Sequence, residues 1–141
     1  MARYVAVQPH YNLVHRGDVE GPLGELAARE NLGILPYYAL AAGFLTGKYR
    51  DADRPGESPR GGSAVKYLDD RGRRVLASLD RVAAAHGTSV TSVSLAWLAS
   101  RPQVVAPIAS ARTVGQLPDL LASVGLELSD AELADLTAAS Q

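Results

Sequence analysis

The sequence predicts an α/β fold built on a parallel sheet. Three observations point to it. Short β-branched or aromatic runs alternate with segments of helical periodicity, giving the order β–α–β–loop–α–α–β–α–α. The run from Ile34 to Leu40 is apolar throughout, as suits a strand covered on both faces. Each strand is followed by a segment long enough for a right-handed crossover.

Tyr4–Gln8 (YVAVQ) reads as the first strand. Asp18 to Pro22 reads as a helix entry, with acids early and proline in the first turn. Leu23, Leu26 and Ala27 continue it as an apolar stripe, and Gly33 reads as its stop. Ile34–Leu40 is the second strand. Residues 50–68, rich in Arg, Asp, Gly, Pro and Ser, read as a long loop of the kind that serves function. Val75, Leu76, Leu79, Val82 and Ala83 mark a helix ending near Gly87. Ser89 caps the next helix, which buries Val93, Trp97 and Leu98 and ends at Arg101-Pro102. Val104–Ile108 is the third strand. Thr113-Val-Gly-Gln116 and Ser129-Asp-Ala-Glu132 each have capping-box spacing and open the last two helices. Three strands are few for such a sheet, whose edges and faces need cover. The expectation is a part of something larger.

The 141 residues suffice for one domain with a core. Apolar residues make up 47% and charged residues 21%, the balance of a soluble globular protein. A net charge of −1 gives no electrostatic reason to expect nucleic acid or an anionic membrane. Cysteine is absent, which excludes disulfides, thiolate metal ligands and Cys nucleophiles. No metal-ligand set stands out in the sequence. The first residues lack an apolar signal core, and a cytoplasmic location is the expectation.

The stretch LPYYALAAGFLTGKY, residues 35–49, invites a phosphate-loop reading because two glycines precede a lysine. Its spacing rejects the nucleoside-triphosphate loop. Three residues separate Gly43 from Gly47 where that loop needs four, and Tyr49 stands where a Ser or Thr would hold Mg²⁺. No G-x-G-x-x-G is present either.

VQPHYNL (7–13), LPYYALAAGFLTGKY (35–49), SVSLAWL (92–98) and APIASARTVGQL (106–117) together resemble the aldo/keto reductases. More narrowly, they resemble the bacterial branch that is also similar to the potassium-channel β-subunit. The four motifs run in order along nearly the whole chain. The resemblance implies a (β/α)₈ TIM barrel that binds NADPH/NADP+. This chain would cover about strands 6–8 with their helices, so that residues 1–141 are a partial reductase domain and 50–68 a cofactor or substrate loop.

By that resemblance, Gln8 holds the nicotinamide carboxamide, for which an amide offers both donor and acceptor. Without it, Gln8 is a polar residue at a strand end. Tyr37 stacks on the nicotinamide, or is simply a core aromatic. Leu40, Gly43, Leu45 and Gly47 form the loop over the pyrophosphate, and Lys48 is its cation. Arg60 covers the adenine, with Arg54 as the rival. Arg112 meets the 2′-phosphate, where a guanidinium fork fits, beside Ser110. Gln116 touches adenine or serves only its capping box, and Asp119 stands near the adenine amino group. Ser110 replaces a common Gly and Leu120 a common Asn.

The resemblance also implies NADPH-dependent reduction of aldehydes or ketones. The Asp, Tyr, Lys and His that perform the family's chemistry fall on earlier strands. His10, His15 and His86 do not occupy the catalytic position, so no residue here is assigned as catalytic. Two expectations follow: an inactive cofactor-binding segment of a reductase, or a non-catalytic NADP-binding or interaction module. Either invites self-association or a complementing N-terminal half.

Overall fold

A computed structural model describes residues 3–51 and 61–141 of the chain. Arg54 and Arg60 lie outside the described residues.

Two short strands form the sheet. β1 (Ala6–Val7) pairs in parallel with β2 (Gly33–Ile34), in the register Ala6 to Gly33 and Val7 to Ile34. Ile34 makes a further parallel bridge to Val104. The middle segment is bonded on both sides. Gly33, Leu35 and Tyr37 donate to the carbonyls of Val5, Val7 and Pro9, while Ile34 donates to Gln103 and accepts from Val105. The three expected strand segments therefore lie side by side and parallel, but the third, Val104–Ile108, is reduced to the single bridge at Val104.

The second strand stops well short of Leu40. Pro36 has no N–H to give, and Tyr38, Ala41 and Ala42 take left-handed φ of 54°, 49° and 57°. The chain instead winds into a 3₁₀ turn, Ala41–Thr46. Gly33 also does not stop the first helix. That helix, α1 (Pro22–Arg29), ends before Glu30. Gly33 serves the sheet, because a Cβ there would lie 2.7 Å from Val105 Cγ2.

Part of the 50–68 stretch is helical: α2 spans Gly61–Val65. α3 (Asp70–His86) starts with Asp69 accepting from the Gly72 N–H at 2.7 Å and ends at Gly87 in the left-handed region. α4 (Val90–Ala99) is capped by Ser89 and buried on nearly every face, as its continuous apolar character requires. A 3₁₀ turn, Val114–Gln116, leads into α5 (Leu117–Ala122). α6 (Asp130–Ala139) begins with a reciprocal box: the Ser129 N–H donates to Glu132 Oε2 at 2.8 Å and the Glu132 N–H to Ser129 Oγ at 3.4 Å.

The core lies between the sheet and the helices. Trp97, Tyr11, Phe44, Leu79, Leu98 and Leu136 are among its largest buried side chains. Trp97 Nε1 donates to Thr137 Oγ1 at 3.1 Å, so the buried indole has a partner on α6. Arg16 sits over the same indole and reaches the Thr137 carbonyl at 2.8 Å. By contrast Tyr4, Val5 and Val105, along the two sheet edges, are exposed. Among the described residues, no helix is long and apolar enough to cross a membrane.

Candidate functional site

The first piece of the site is the turn after β2. Gly43 and Gly47 take φ of 96° and 76°, conformations that cost glycine little. A Cβ on Gly43 would stand 3.2 Å from the Tyr49 ring and 3.5 Å from Lys48 Cε. The bare backbone thus leaves room for the lysine stem. Thr46 Oγ1 donates to the Gly43 carbonyl at 2.7 Å and tightens the turn. Arg50 fixes its exit: Nε donates to the Gly47 carbonyl at 2.7 Å, and both terminal nitrogens reach Asp80 on α3 at 2.8 and 2.7 Å. Lys48 stands exposed above the turn, with Nζ 4.8 Å from the centre of the Tyr49 ring.

The second piece is the segment from Ile108 to Gln116. The Ile108 N–H donates to the Pro36 carbonyl at 2.8 Å and seats it against the end of the middle strand. Gln116 Oε1 accepts from the Arg112 N–H at 2.8 Å and the Thr113 N–H at 3.4 Å. Its side chain is therefore engaged in the cap. Arg112 is exposed, and among the described residues no ion pair involves Arg112 or Lys48. Ser92 Oγ of α4 donates to the Asp119 carbonyl at 2.7 Å and holds α5 in place.

The two pieces face each other across a cleft of ≈ 960 Å³ at the C-terminal end of the parallel segments. Of the residues singled out from sequence, Tyr37, Leu40, Gly43, Lys48, Ser110, Arg112, Gln116 and Asp119 line it. Gln8, Leu45 and Gly47 do not. Leu45 is wholly buried in the core, and its carbonyl accepts from Ser94 Oγ at 3.1 Å. Gln8 is exposed just past β1, and Gly47 caps the 3₁₀ turn.

The structure adds residues that sequence reasoning passed over. Tyr38 and Thr91 line the cleft. Tyr37 and Tyr38 meet edge to face with ring centres 5.4 Å apart. Tyr38 keeps its left-handed backbone with help from Asn12, whose Nδ2 donates to the Tyr38 carbonyl at 2.9 Å. The signal for Asn12 was present in VQPHYNL, but no periodicity assigns a role to a single buried amide.

Beside this rim, His10 makes a parallel bridge to Tyr37, and its ring lies 5.3 Å from both Tyr37 and Tyr38. Burial pushes the His10 pKa below its ordinary 6.5, the neighbouring His15 adds to the effect, and Asp18 opposes it. The cleft itself therefore carries two cations, Lys48 and Arg112, with no ion pair among the described residues, and an edge-to-face pair of tyrosines. Such a surface can grip an extended anion with a planar group at its end.

The sequence profile of the Aldo/keto reductase family matches residues 1–141. This chain belongs to the aldo/keto reductase family. It is 29% identical over its full length to the Protein tas of Escherichia coli (strain K12), of which it covers 41%. Over 80% of its length it is 32% identical to a probable voltage-gated potassium channel subunit beta of Oryza sativa subsp. japonica, covering 36% of that protein. In structure it is similar to the glycerol dehydrogenase AKR11B4 from Gluconobacter oxydans. That match has a TM-score of 0.77 at 26% identity and covers 95% of this chain and 41% of the other. The chain thus spans about two fifths of the length of these aldo/keto reductase relatives. The family is one of oxidoreductases with a barrel architecture, of which this chain is a partial α/β unit.

Proposed function

We propose that this chain is the cofactor-binding part of an NADPH-dependent aldo/keto reductase that converts aldehydes or ketones to alcohols. The observation that carries this reading is the cleft, which unites Tyr37, Gly43 and Lys48 with Ser110, Arg112 and Asp119 from a distant part of the chain. On this reading the middle strand is strand seven of the barrel, and the flanking segments are strands six and eight.

The residues present fit NADP+. The cleft volume is in the range of cofactor sites. Tyr37 is 38% exposed and offers a ring face for a nicotinamide. Lys48 reaches a diffuse pyrophosphate charge past the side-chain-free Gly43, and Arg112 forks onto a 2′-phosphate. Asp119 stands at the adenine end. When bound, the cofactor supplies a hydride to the substrate carbonyl carbon. The chain's own residues bind and orient; they do not hold the proton that the carbonyl oxygen receives. The Asp, Tyr, Lys and His expected for that step belong to earlier strands, so the chain alone is proposed to be inactive. A cytoplasmic location belongs to the same reading.

The exposed edge residues Tyr4, Val5 and Val105 support a covering partner, either the remaining barrel strands or a second copy. Supplying a polypeptide with the earlier strands should produce carbonyl-dependent NADPH oxidation, followed at 340 nm as ordinary nicotinamide absorbance. No turnover from a folded, associated pair would reject the enzymatic reading. NADP+ binding without turnover would favour a non-catalytic module.

A further inference from the structure

Next to the cleft, the loop after β1 doubles back on itself. Asn12 and His15 exchange backbone hydrogen bonds at 3.1 and 3.0 Å. This hairpin brings the rings of His10 and His15 into a parallel stack, with centres 3.7 Å apart and planes 8° from parallel. Asp18 follows in the next turn, its Oδ2 2.8 Å from His15 Nε2. One ligand atom from each of His10, His15 and Asp18 lies within 4.8 Å of the other two.

We propose that His10, His15 and Asp18 form a binding site for a divalent transition-metal ion at the rim of the cleft. Two imidazoles and one carboxylate suit a borderline ion such as Zn²⁺ or Co²⁺, with water completing the sphere. Asn12 Nδ2 donates to His10 Nε2 at 3.3 Å, which puts the His10 proton on Nδ1 and leaves its one lone pair on Nε2; a metal bound there displaces this long bond, and Asn12 keeps the Tyr38 carbonyl as its partner. At His15, the Nε2 proton lies in the bond to Asp18. A metal would replace it there, the proton moving to Nδ1. Ligands about 2.0–2.1 Å from a tetrahedral ion sit roughly 3.4 Å apart. The widest gap must therefore close and the stack must open, because stacked rings hold their in-plane lone pairs in separate planes; His15 and Asp18, with side chains 34% and 59% exposed, turn to meet the ion. Lys66 is close enough to His10 to oppose added positive charge. The expected affinity is therefore micromolar rather than that of a structural zinc site.

A Co²⁺ titration of the chain, read by visible absorption, tests this. The expected result is a single-site band that His15→Ala and His10→Ala abolish and Asp18→Asn weakens by about tenfold. His86→Ala should leave the band unchanged. Circular dichroism on each variant confirms the fold. Asp18 is exposed, so D18N keeps the test decisive if a histidine variant unfolds. No band, or a band that survives in a folded His15→Ala or Asp18→Asn variant at full affinity, overturns the site and leaves the cluster as a hydrogen-bonded lock.

Discussion

Asn12 holds Tyr38 across 26 residues of chain: its Nδ2 donates to the Tyr38 carbonyl at 2.9 Å, while its Oδ1 accepts from the Val14 N–H at the same distance. The side chain is fully buried, so one amide joins the hairpin after β1 to the cleft rim. Asn12→Ala removes the side-chain partners of both backbone groups and should cost about 1–3 kcal/mol in urea denaturation. Asn12→Asp keeps the acceptor for Val14 but faces a carbonyl with a carboxylate, and should be comparably unstable. A midpoint equal to wild type in both variants would contradict this role.

Lys48 and Arg112 should separate by ligand. Lys48→Ala is expected to weaken NADP+ and NAD+ alike, by about tenfold, since both carry the pyrophosphate. Arg112→Ala should weaken NADP+ and spare NAD+. Both side chains are exposed, and thermal melts should barely change. Paired calorimetric titrations of the two nucleotides check this directly.

Gly72→Ala should unfold the α2–α3 corner. Its Cβ would fall on the Tyr67 carbonyl oxygen and 2.9 Å from the Phe44 ring. Neither is the free end of a flexible chain, so the loss should reach the upper part of the about 1–3 kcal/mol typical of overpacking, or exceed it. Gly62→Ala, with nothing within 4 Å of the added carbon, is the control and should melt like wild type.

Stability should fall at both ends of the pH scale. Ser78 Oγ, then Arg81, hold the Asp135 carboxylate below its ordinary 3.8, and the Ser129 amide and hydroxyl hold Glu132 below 4.5. Their folded pKa values are depressed, so the unfolded chain binds more protons in acid. The stabilisation is complete above those ordinary values and is lost as pH falls through the depressed ones. At the other end, burial and then the Glu20 hydrogen bond raise the Tyr11 pKa above 10.0. The unfolded chain ionises first, so stability should decline above about pH 10. Urea midpoints across pH test both limbs, and Asp135→Asn should flatten part of the acid one.

Most helices were legible because their signals are local. Ser89 and Ser129 cap where side chains and periodicity meet, and Gly87 ends α3 with a left-handed φ of 59°; α2, inside the stretch read as a loop, was not. The parallel direction of the strands was legible from the alternation of segments. The end of the second strand was not, because an apolar run gives no sign of the positive φ at Tyr38, Ala41 and Ala42. Tyr37 and Tyr38 of that run are exposed, and the 3₁₀ turn after it buries Ala41, Phe44 and Leu45. In the site, the resemblance singled out Lys48 and Arg112, and both line the cleft. Leu45 does not, since a motif position does not say which way a side chain faces, and this one enters the core. Asn12, Tyr38 and the His10–His15 stack depend on contacts between separate turns, which no sequence window contains.

The most direct test of the cofactor reading is calorimetric titration of NADP+ into the folded chain, with circular dichroism of the same sample reporting its helices. The account predicts micromolar binding of NADP+ with NAD+ about tenfold weaker, and loss of that preference in Arg112→Ala. A folded chain that binds neither nucleotide, or binds both equally, would contradict it.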